Sequence, residues 1–252
     1  MDILQAVILG IIQGITEWLP VSSSGHLAIV EHLFGLKQPL LFDVMLHLGS
    51  LIVVMIFFRN EIIELIKGIV AFDKSKLKIL LMIIVASIPI AVVGLLFKDL
   101  IEYSFRSLKI IGIALLITSL LLFLSKYPVK KNKKLGFFGA FVIGLFQALA
   151  VFPGISRSGS TISSGMILGI KKEDVAKFSF LIFIPAIIGA LILNVSDISE
   201  FNDLTPMIIG SVISAVVGYF SLKLLMNIIK KDKFKYFSIY CLILGVVLLF
   251  LK

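Results

Sequence analysis

The chain has 252 residues, of which 59% are hydrophobic and only 15% are charged. In soluble globular domains, about a quarter of all residues are charged. Apolar stretches recur from end to end, which excludes a soluble enzyme and indicates a protein that folds within a membrane. The net charge of +9 does not indicate a nucleic-acid partner, because the lysines cluster in short loops between the apolar stretches, as in membrane topology signals.

In chain order, the first apolar stretch, residues 3–36, is interrupted at Pro20, and a related stretch, residues 135–170, is interrupted at Pro153 and Gly154. Proline and glycine break helices, so each stretch predicts two short helices that enter and leave the membrane on one side. Six uninterrupted apolar segments have about the length needed to cross a bilayer: residues 41–58, 79–97, 108–125, 175–193, 206–229 and 236–251. We therefore predict an all-α polytopic membrane protein, a single membrane domain over residues 1–252, with six full transmembrane helices and two re-entrant helical hairpins.

The loops differ in charge. Residues 59–78, 126–134 and 230–235 are rich in lysine, whereas residues 194–205 carry Asp197, Glu200 and Asp203 and no base. Basic loops are typical of the cytoplasmic side. This alternation predicts that the first hairpin dips in from the outside and the second from the cytoplasm.

The two hairpins also resemble each other in sequence. At an offset of 134 residues, Gly10, Gln13, Ser22, Ser24 and Gly25 recur as Gly144, Gln147, Ser156, Ser158 and Gly159. Repeat 1 then covers about residues 1–126 and repeat 2 about residues 135–252. Because each copy has one dip and three crossings, the two copies would have opposite topology, so that discontinuous helices from opposite faces meet near the midplane.

The break in each hairpin is a candidate anion site. The N–H groups that begin a helix carry partial positive charge, and the Ser- and Gly-rich sequences at residues 22–25 and 156–161 lie where the second helix of each hairpin begins. Arg157 adds a planar donor suited to phosphate, and an arginine within a membrane is functional by default. The alternative for Ser24, Ser158 and Ser163 is that small residues only let helices pack closely.

Glu17 and His26 flank the first break and, with Ser22 and Ser23, supply a base and a nucleophile. The alternative is a structural ion pair between Glu17 and Arg157 beside a hydrogen-bonded histidine. Gln13 lies on the same helical face as Glu17.

Asp43 and His47 have the same four-residue spacing, for which a local pair is favoured over a role in the site.

Two long motifs resemble one known family. Residues 13–26, which read QGITEWLPVSSSGH, are similar to the E/Q-x-x-x-E motif and serine-rich segment of the bacterial undecaprenyl-diphosphatases, also called bacitracin-resistance proteins. Residues 153–161, PGISRSGST, resemble the second motif of that family, P-G-x-S-R-S-x-x-T. Chain length and the layout of spans and hairpins agree along essentially the whole sequence.

The resemblance implies hydrolysis of undecaprenyl diphosphate to the monophosphate, which recycles the lipid carrier of cell-wall synthesis and accompanies bacitracin resistance. It implies catalytic positions at Glu17, Ser23, His26 and Arg157. The resemblance and the two breaks together predict substrate contacts at Gln13, Ser22, Gly154, Ser156, Ser158 and Thr161.

The same resemblance sets expectations for cofactors and partners. Many members have Glu at the position of Gln13, and the two carboxylates are then expected to bind a metal ion together. In this chain only Glu17 remains of that pair. The expectation is that Glu17 could still share a divalent cation, Mg²⁺ or Ca²⁺, with the substrate. The expected partners are an isoprenoid lipid diphosphate and membrane lipids, and the sequence is compatible with a monomer or a homodimer. The expected location is the bacterial plasma membrane, with the site open to the external or periplasmic face.

Several mechanisms fit these residues. Ser23 is the favoured nucleophile, with His26 or Glu17 as its base; His26 or water are alternative nucleophiles. A transporter or flippase of a lipid phosphate is the alternative function, because inverted repeats with midplane hairpins are a transporter layout.

Overall fold

The computed structural model describes residues 2–36, 40–129, 133–194 and 204–251. Within these residues the chain is helical, and the isolated bridge between Lys133 and Ile170 belongs to no strand. The helices in chain order are α1 Ile3–Thr16, α2 Ser23–Leu33, α3 Leu40–Phe57, α4 Arg59–Val70, α5 Lys74–Leu96, α6 Lys98–Phe105, α7 Leu108–Leu124, α8 Phe137–Leu149, α9 Arg157–Ile167, α10 Lys172–Asn194, α11 Thr205–Lys230 and α12 Phe237–Phe250. A 3-10 turn, Phe234–Tyr236, precedes α12.

Each of the six predicted spans coincides with a helix: α3, α5, α7, α10, α11 and α12. Among the described residues, α5, α10 and α11 are each long and apolar enough to cross a bilayer. Two further candidates are bent pairs, α3 with α4 at 74° and α6 with α7 at 101°. The prediction of an all-α protein with several membrane-spanning helices is therefore confirmed at this level.

One predicted loop is largely helical. Residues 59–78 contain α4 and the start of α5, although their charges indicated a loop. Helix α4 has no buried residue, and its charged side chains pair with neighbours: Glu64 lies 3.2 Å from Lys76, and Glu61 lies 3.1 Å from Lys177. The charges therefore mark the exposed side of an amphipathic helix rather than irregular chain.

Both predicted helix breaks are present. Helix α1 ends at Thr16 and α2 begins at Ser23, while α8 ends at Leu149 and α9 begins at Arg157. The first helices of the two hairpins begin 134 residues apart, and so do the second helices. The local structure thus follows the sequence repeat.

Helices from the two halves of the chain pack against each other. Helix α1 contacts α11, α8 contacts α5, α3 contacts α10 and α7 contacts α12. Small residues permit the close approaches, since a Cβ added at Gly10 would lie 2.6 Å from the carbonyl oxygen of Gly210. The core between these helices contains the fully buried Trp18, Phe180 and Phe183 and brings the two hairpins together.

Asp197, Glu200 and Asp203 of the acidic loop lie outside the described residues, and so do residues 130–132 of the basic loop between the repeats.

Candidate active site

Each hairpin begins its second helix with a capping serine. The Ser22 hydroxyl accepts the backbone N–H of Gly25 at 3.2 Å, and the Ser156 hydroxyl accepts that of Gly159 at 3.0 Å. Each capping hydroxyl also lies 3.3 Å from the hydroxyl of the serine two residues later. The two helix N-termini therefore have matching caps, and their remaining N–H groups are suited to an anion.

The two breaks are in direct contact. The backbone N–H of Gly154, whose φ is 97°, donates to the Ser22 hydroxyl at 3.0 Å. The Thr118 hydroxyl donates to the Gly154 carbonyl at 2.9 Å and accepts from the Ser156 N–H at 3.0 Å. A Cβ added at Gly25 would lie only 3.1 Å from the Gly154 Cα. Glycine at these positions lets one backbone touch the other, which joins the N-termini of α2 and α9.

The Glu17 carboxylate is the centre of the polar cluster. Its Oε1 lies 2.7 Å from Arg157 Nη2, across 140 residues of sequence. Its Oε2 accepts the Ser23 hydroxyl at 2.6 Å and the Gln13 amide at 3.2 Å, and lies 3.2 Å from His47 Nε2. Glu17 is only 5% exposed, so the carboxylate depends on these donors in place of water.

Aromatic rings surround the Arg157 guanidinium. Its Cζ lies 4.0 Å from the ring centre of Phe183 and about 6 Å from those of Trp18 and Phe180. Nη1 donates to the Ser179 carbonyl at 3.4 Å, and Nε has no hydrogen-bond partner among the described residues. The rings stabilise the cation without occupying its donors, which leaves donor capacity for a second anion beside Glu17.

His47 belongs to the site, although the sequence favoured a local pair with Asp43. The favoured local pair between the Asp43 and His47 side chains does not form, because His47 Nδ1 contacts the main-chain carbonyl of Asp43 at 2.7 Å. This contact directs Nε2 toward Glu17. The four-residue spacing signalled that the two residues share a face, but the approach of α3 to α1 decides which neighbour that face meets.

His26 lies apart from the cluster. Its Nδ1 contacts the Ser22 main-chain carbonyl at 2.7 Å, and its Nε2 contacts the Tyr240 hydroxyl at 2.6 Å, with the two rings stacked at 5.7 Å. A carbonyl oxygen only accepts, so Nδ1 carries a proton and Nε2 is free to accept the tyrosine O–H. Both ring nitrogens are therefore engaged away from Glu17 and Ser23.

Three of the predicted substrate contacts bond to other groups of the protein. The Thr161 hydroxyl donates to the Arg157 carbonyl at 2.8 Å and lies 2.6 Å from the Ser179 hydroxyl. Ser158 is fully buried beside the Ser156 hydroxyl. Neither side chain lines the cavity described next. Gly154 presents its N–H to Ser22, as described above.

A cavity of about 320 Å³ opens beside Glu17. Its polar end combines residues from both hairpins with one from α3: Glu17, Ser22, Ser23, Ser24, His47, Gln147, Ser156 and Arg157. Its apolar walls come from α5 and α10, including Ile90, Gly94, Ala186, Ile187 and Ala190, with Lys98 also on the lining. A charged head and an apolar chain could therefore occupy one continuous space.

The side chains do not form a ready-made cation site. In the described part of the chain, no three His, Cys, Asp or Glu side chains converge as metal ligands. Both oxygens of Glu17 contact hydrogen-bond donors, and Gln13 contributes its amide nitrogen. These residues do not fit a preformed divalent-cation site.

Known proteins resemble this chain along almost its whole length. The family model described as bacitracin resistance protein BacA matches residues 6–247. The chain is 44% identical to an undecaprenyl-diphosphatase of Carboxydothermus hydrogenoformans, covering 100% of this chain and 98% of that protein. It is 42% identical to an undecaprenyl-diphosphatase of Methanosphaera stadtmanae, covering 100% and 99%, and 40% identical to undecaprenyl-diphosphatase 3 of Bacillus anthracis, covering 98% and 97%. With both motifs at the buried cluster and the match running along almost the whole sequence, the chain belongs to the bacitracin resistance protein BacA family.

Proposed function

We propose that this chain is a membrane phosphatase that hydrolyses undecaprenyl diphosphate to undecaprenyl phosphate and inorganic phosphate. The observation that carries the proposal is the convergence of Ser23 and Arg157 on the two oxygens of one buried carboxylate, Glu17, at the end of a cavity with apolar walls. The activity returns the lipid carrier to cell-wall synthesis, which accounts for the link of the family to bacitracin resistance.

In the first step, Ser23 Oγ attacks the terminal phosphorus. The hydroxyl already donates to Glu17 Oε2 at 2.6 Å, which supports Glu17 as the group that takes its proton. The new Oγ–P bond forms as the bond from phosphorus to the bridging oxygen breaks, and undecaprenyl phosphate leaves with the electron pair. Glu17 then passes this proton to an oxygen of the departing undecaprenyl phosphate and is a carboxylate again. In the second step, water attacks the phosphorus of the phosphoserine and gives a proton to Glu17. The Oγ–P bond breaks, and Glu17 passes that proton to Ser23 Oγ as inorganic phosphate departs.

Arg157 supplies the positive charge for both steps. Its guanidinium has donors beyond the one bound to Glu17, and these can bind oxygens of the diphosphate. The N-termini of α2 and α9, capped by Ser22 and Ser156, add N–H groups on either side. Such preorganised donors are most effective where charge increases in the transition state.

His26 acts as a positioning residue in this proposal. Its bond to the Ser22 carbonyl supports a backbone with φ of 70°, a conformation that a serine rarely adopts. Ser22 directly precedes Ser23, so the His26 contact sets the path of the chain into the nucleophile. His47 and Gln13 orient the Glu17 carboxylate in the same indirect way.

The isoprenoid tail would follow the apolar wall between α5 and α10. Gly94 faces open space, since a Cβ added there meets no atom within 4 Å. Ala186 and Ala190 are likewise small. A groove between two spans, lined by such small residues, would admit a long chain.

We further propose the inverted arrangement, with six spans and two re-entrant hairpins, in a bacterial plasma membrane with the site open to the external face. It is supported by the 134-residue correspondence of the hairpin helices and by the contacts between helices of the two halves. The charge of the loops supports the orientation.

Phosphate release by the purified full chain in detergent tests the function. We expect steady release from undecaprenyl diphosphate without any gradient, and a fall of at least 10²-fold in Glu17→Ala. Parallel reactions with and without chelator test whether a divalent cation enters with the substrate.

The flippase alternative draws on the meeting of the two hairpins, a layout shared with transporters. It predicts lipid movement in vesicles with no phosphate released in detergent. Binding of substrate without turnover by wild-type protein would therefore overturn the phosphatase proposal.

A further inference from the structure

Gln147 is a buried polar side chain whose amide has no hydrogen-bond partner among the described residues. It lies on α8, two residues before the helix ends, and is fully buried. Neither its Nε2 nor its Oε1 makes a hydrogen bond to any described residue. An amide left in this state is costly, and an apolar side chain of similar size would avoid the cost.

Its repeat counterpart shows what is missing. Gln13, 134 residues earlier, is also fully buried, but its Nε2 donates to Glu17 at 3.2 Å and to Ser50 at 3.3 Å, although its Oε1 has no partner. The residue of repeat 2 that corresponds to Glu17 is Val151, which cannot accept a hydrogen bond. Repeat 2 therefore retains the amide without its intramolecular acceptor.

The location of Gln147 indicates what could satisfy it. Gln147 lines the cavity beside Glu17, on a wall that also includes Val151, Ser156 and Arg157. Within that space the protein offers the amide no partner, whereas a phosphate group would bring acceptor oxygens. A neutral amide can bind such an oxygen without adding another charge to the buried cluster.

We propose that Gln147 is a substrate-binding residue, whose Nε2 donates a hydrogen bond to an oxygen of the diphosphate. Its Oε1 would then accept a hydrogen bond from water brought in with the substrate. The identity of the ligand in this inference rests on the proposed function. The inference gives repeat 2 a substrate contact outside its motif at residues 153–161.

The test is a matched pair of variants, Gln147→Met and Gln13→Met, in the purified full chain. Gln147→Met removes no hydrogen bond from the free protein, so we expect an unchanged or higher Tm. Thermal unfolding can be monitored by the fluorescence of Trp18, the single tryptophan. We expect kcat/KM for undecaprenyl diphosphate to fall roughly ten- to a hundredfold, as for a lost hydrogen bond to a charged group. Gln13→Met, which loses two bonds, should lower both Tm and activity.

Binding of a non-hydrolysable lipid methylenediphosphonate separates this inference from the proposed function. A ten- to hundredfold weaker Kd in Gln147→Met supports the contact, whether or not wild-type protein releases phosphate. An unchanged Kd would overturn it, and so would a fall in Tm that accounts for the lost activity. Absence of phosphate release by wild-type protein would instead count against the phosphatase alone.

Discussion

The hairpin formed by α1 and α2 and the hairpin formed by α8 and α9 share a backbone plan. Ser22 and Ser156 cap equivalent helices, and each accepts the N–H of a glycine three residues later. Contacts across the interface are also paired, since a Cβ at Gly25 would meet Gly154, and one at Gly159 would lie 3.3 Å from Pro20, the counterpart of Gly154. The duplication has preserved the parts that end one helix, begin the next and let the breaks touch.

The side chains that carry the chemistry differ between these hairpins. Ser23 and Arg157 are equivalent first residues of α2 and α9, and both contact Glu17, on opposite oxygens. Glu17 itself corresponds to Val151. Two carboxylates here would repel each other and the substrate, whereas one carboxylate can activate a serine on one side while an arginine binds phosphate on the other. In the proposed reaction, the backbone plan shared by the two hairpins forms the pocket, and the side chains that differ between them act on the substrate.

The largest effect should come from removing the proposed nucleophile from the first hairpin. We expect Ser23→Ala to lower kcat for phosphate release by about 10⁴-fold or more, because no other hydroxyl lies within hydrogen-bond distance of Glu17 among the described residues. Phosphopeptide mapping of wild-type protein should locate label on Ser23. The control is Ser87→Ala on α5, whose hydroxyl bonds only to its own helix. Label on His26 instead would contradict the proposed roles.

A charge-conserving change tests the equivalent position of the second hairpin. Arg157→Lys keeps the cation but loses the planar fork that can bind Glu17 and a phosphate together. We expect kcat/KM to fall by about 10²-fold. The control is Arg59→Lys on the exposed helix α4, which should behave as wild type. Full activity of Arg157→Lys would show that a point charge suffices and that fork geometry is irrelevant.

The sequence predicted the parts of this comparison that depend on local chemistry. Breaks follow from Pro20 and Gly154, and a carboxylate and an arginine in apolar surroundings must find partners, so Glu17 and Arg157 were identifiable without coordinates.

The orientation of individual side chains was not predictable in the same way. His47 faces Glu17 because of how α3 packs, and Gly49 fixes that packing by bringing α3 against the backbone of Ser211 on α11. His26 is near Ser23 in sequence, yet its ring turns back to the Ser22 carbonyl and outward to Tyr240. Both orientations depend on how helices pack, including contacts of α3 with α11 and of His26 with Tyr240 on α12, which sequence spacing does not encode.

The two capping serines should differ in their effect on stability. The Ser22 hydroxyl accepts two N–H groups, from Gly25 and Gly154, whereas the Ser156 hydroxyl accepts one, from Gly159. We expect Ser22→Ala to cost about 2 kcal/mol and Ser156→Ala about 1 kcal/mol. Thermal unfolding followed by Trp18 fluorescence compares them directly. Equal losses would mean that the contact between the breaks adds nothing to the cap.

The smallest effects should come from changing His26 and Tyr240, which support the backbone of Ser22. The second hairpin has no such support, because Ser160 occupies the position that corresponds to His26. His26→Asn keeps a donor for the Ser22 carbonyl, so we expect kcat to fall only about tenfold; Tyr240→Phe, which removes the hydroxyl at Nε2, should lower it about threefold. KM should stay constant in both, since neither side chain lines the cavity. Loss of a general base costs about 10²- to 10⁴-fold and removes a titration from the pH profile. A loss of that size in His26→Asn, with Tm unchanged, would return the proton transfer to His26 and leave Glu17 as its partner.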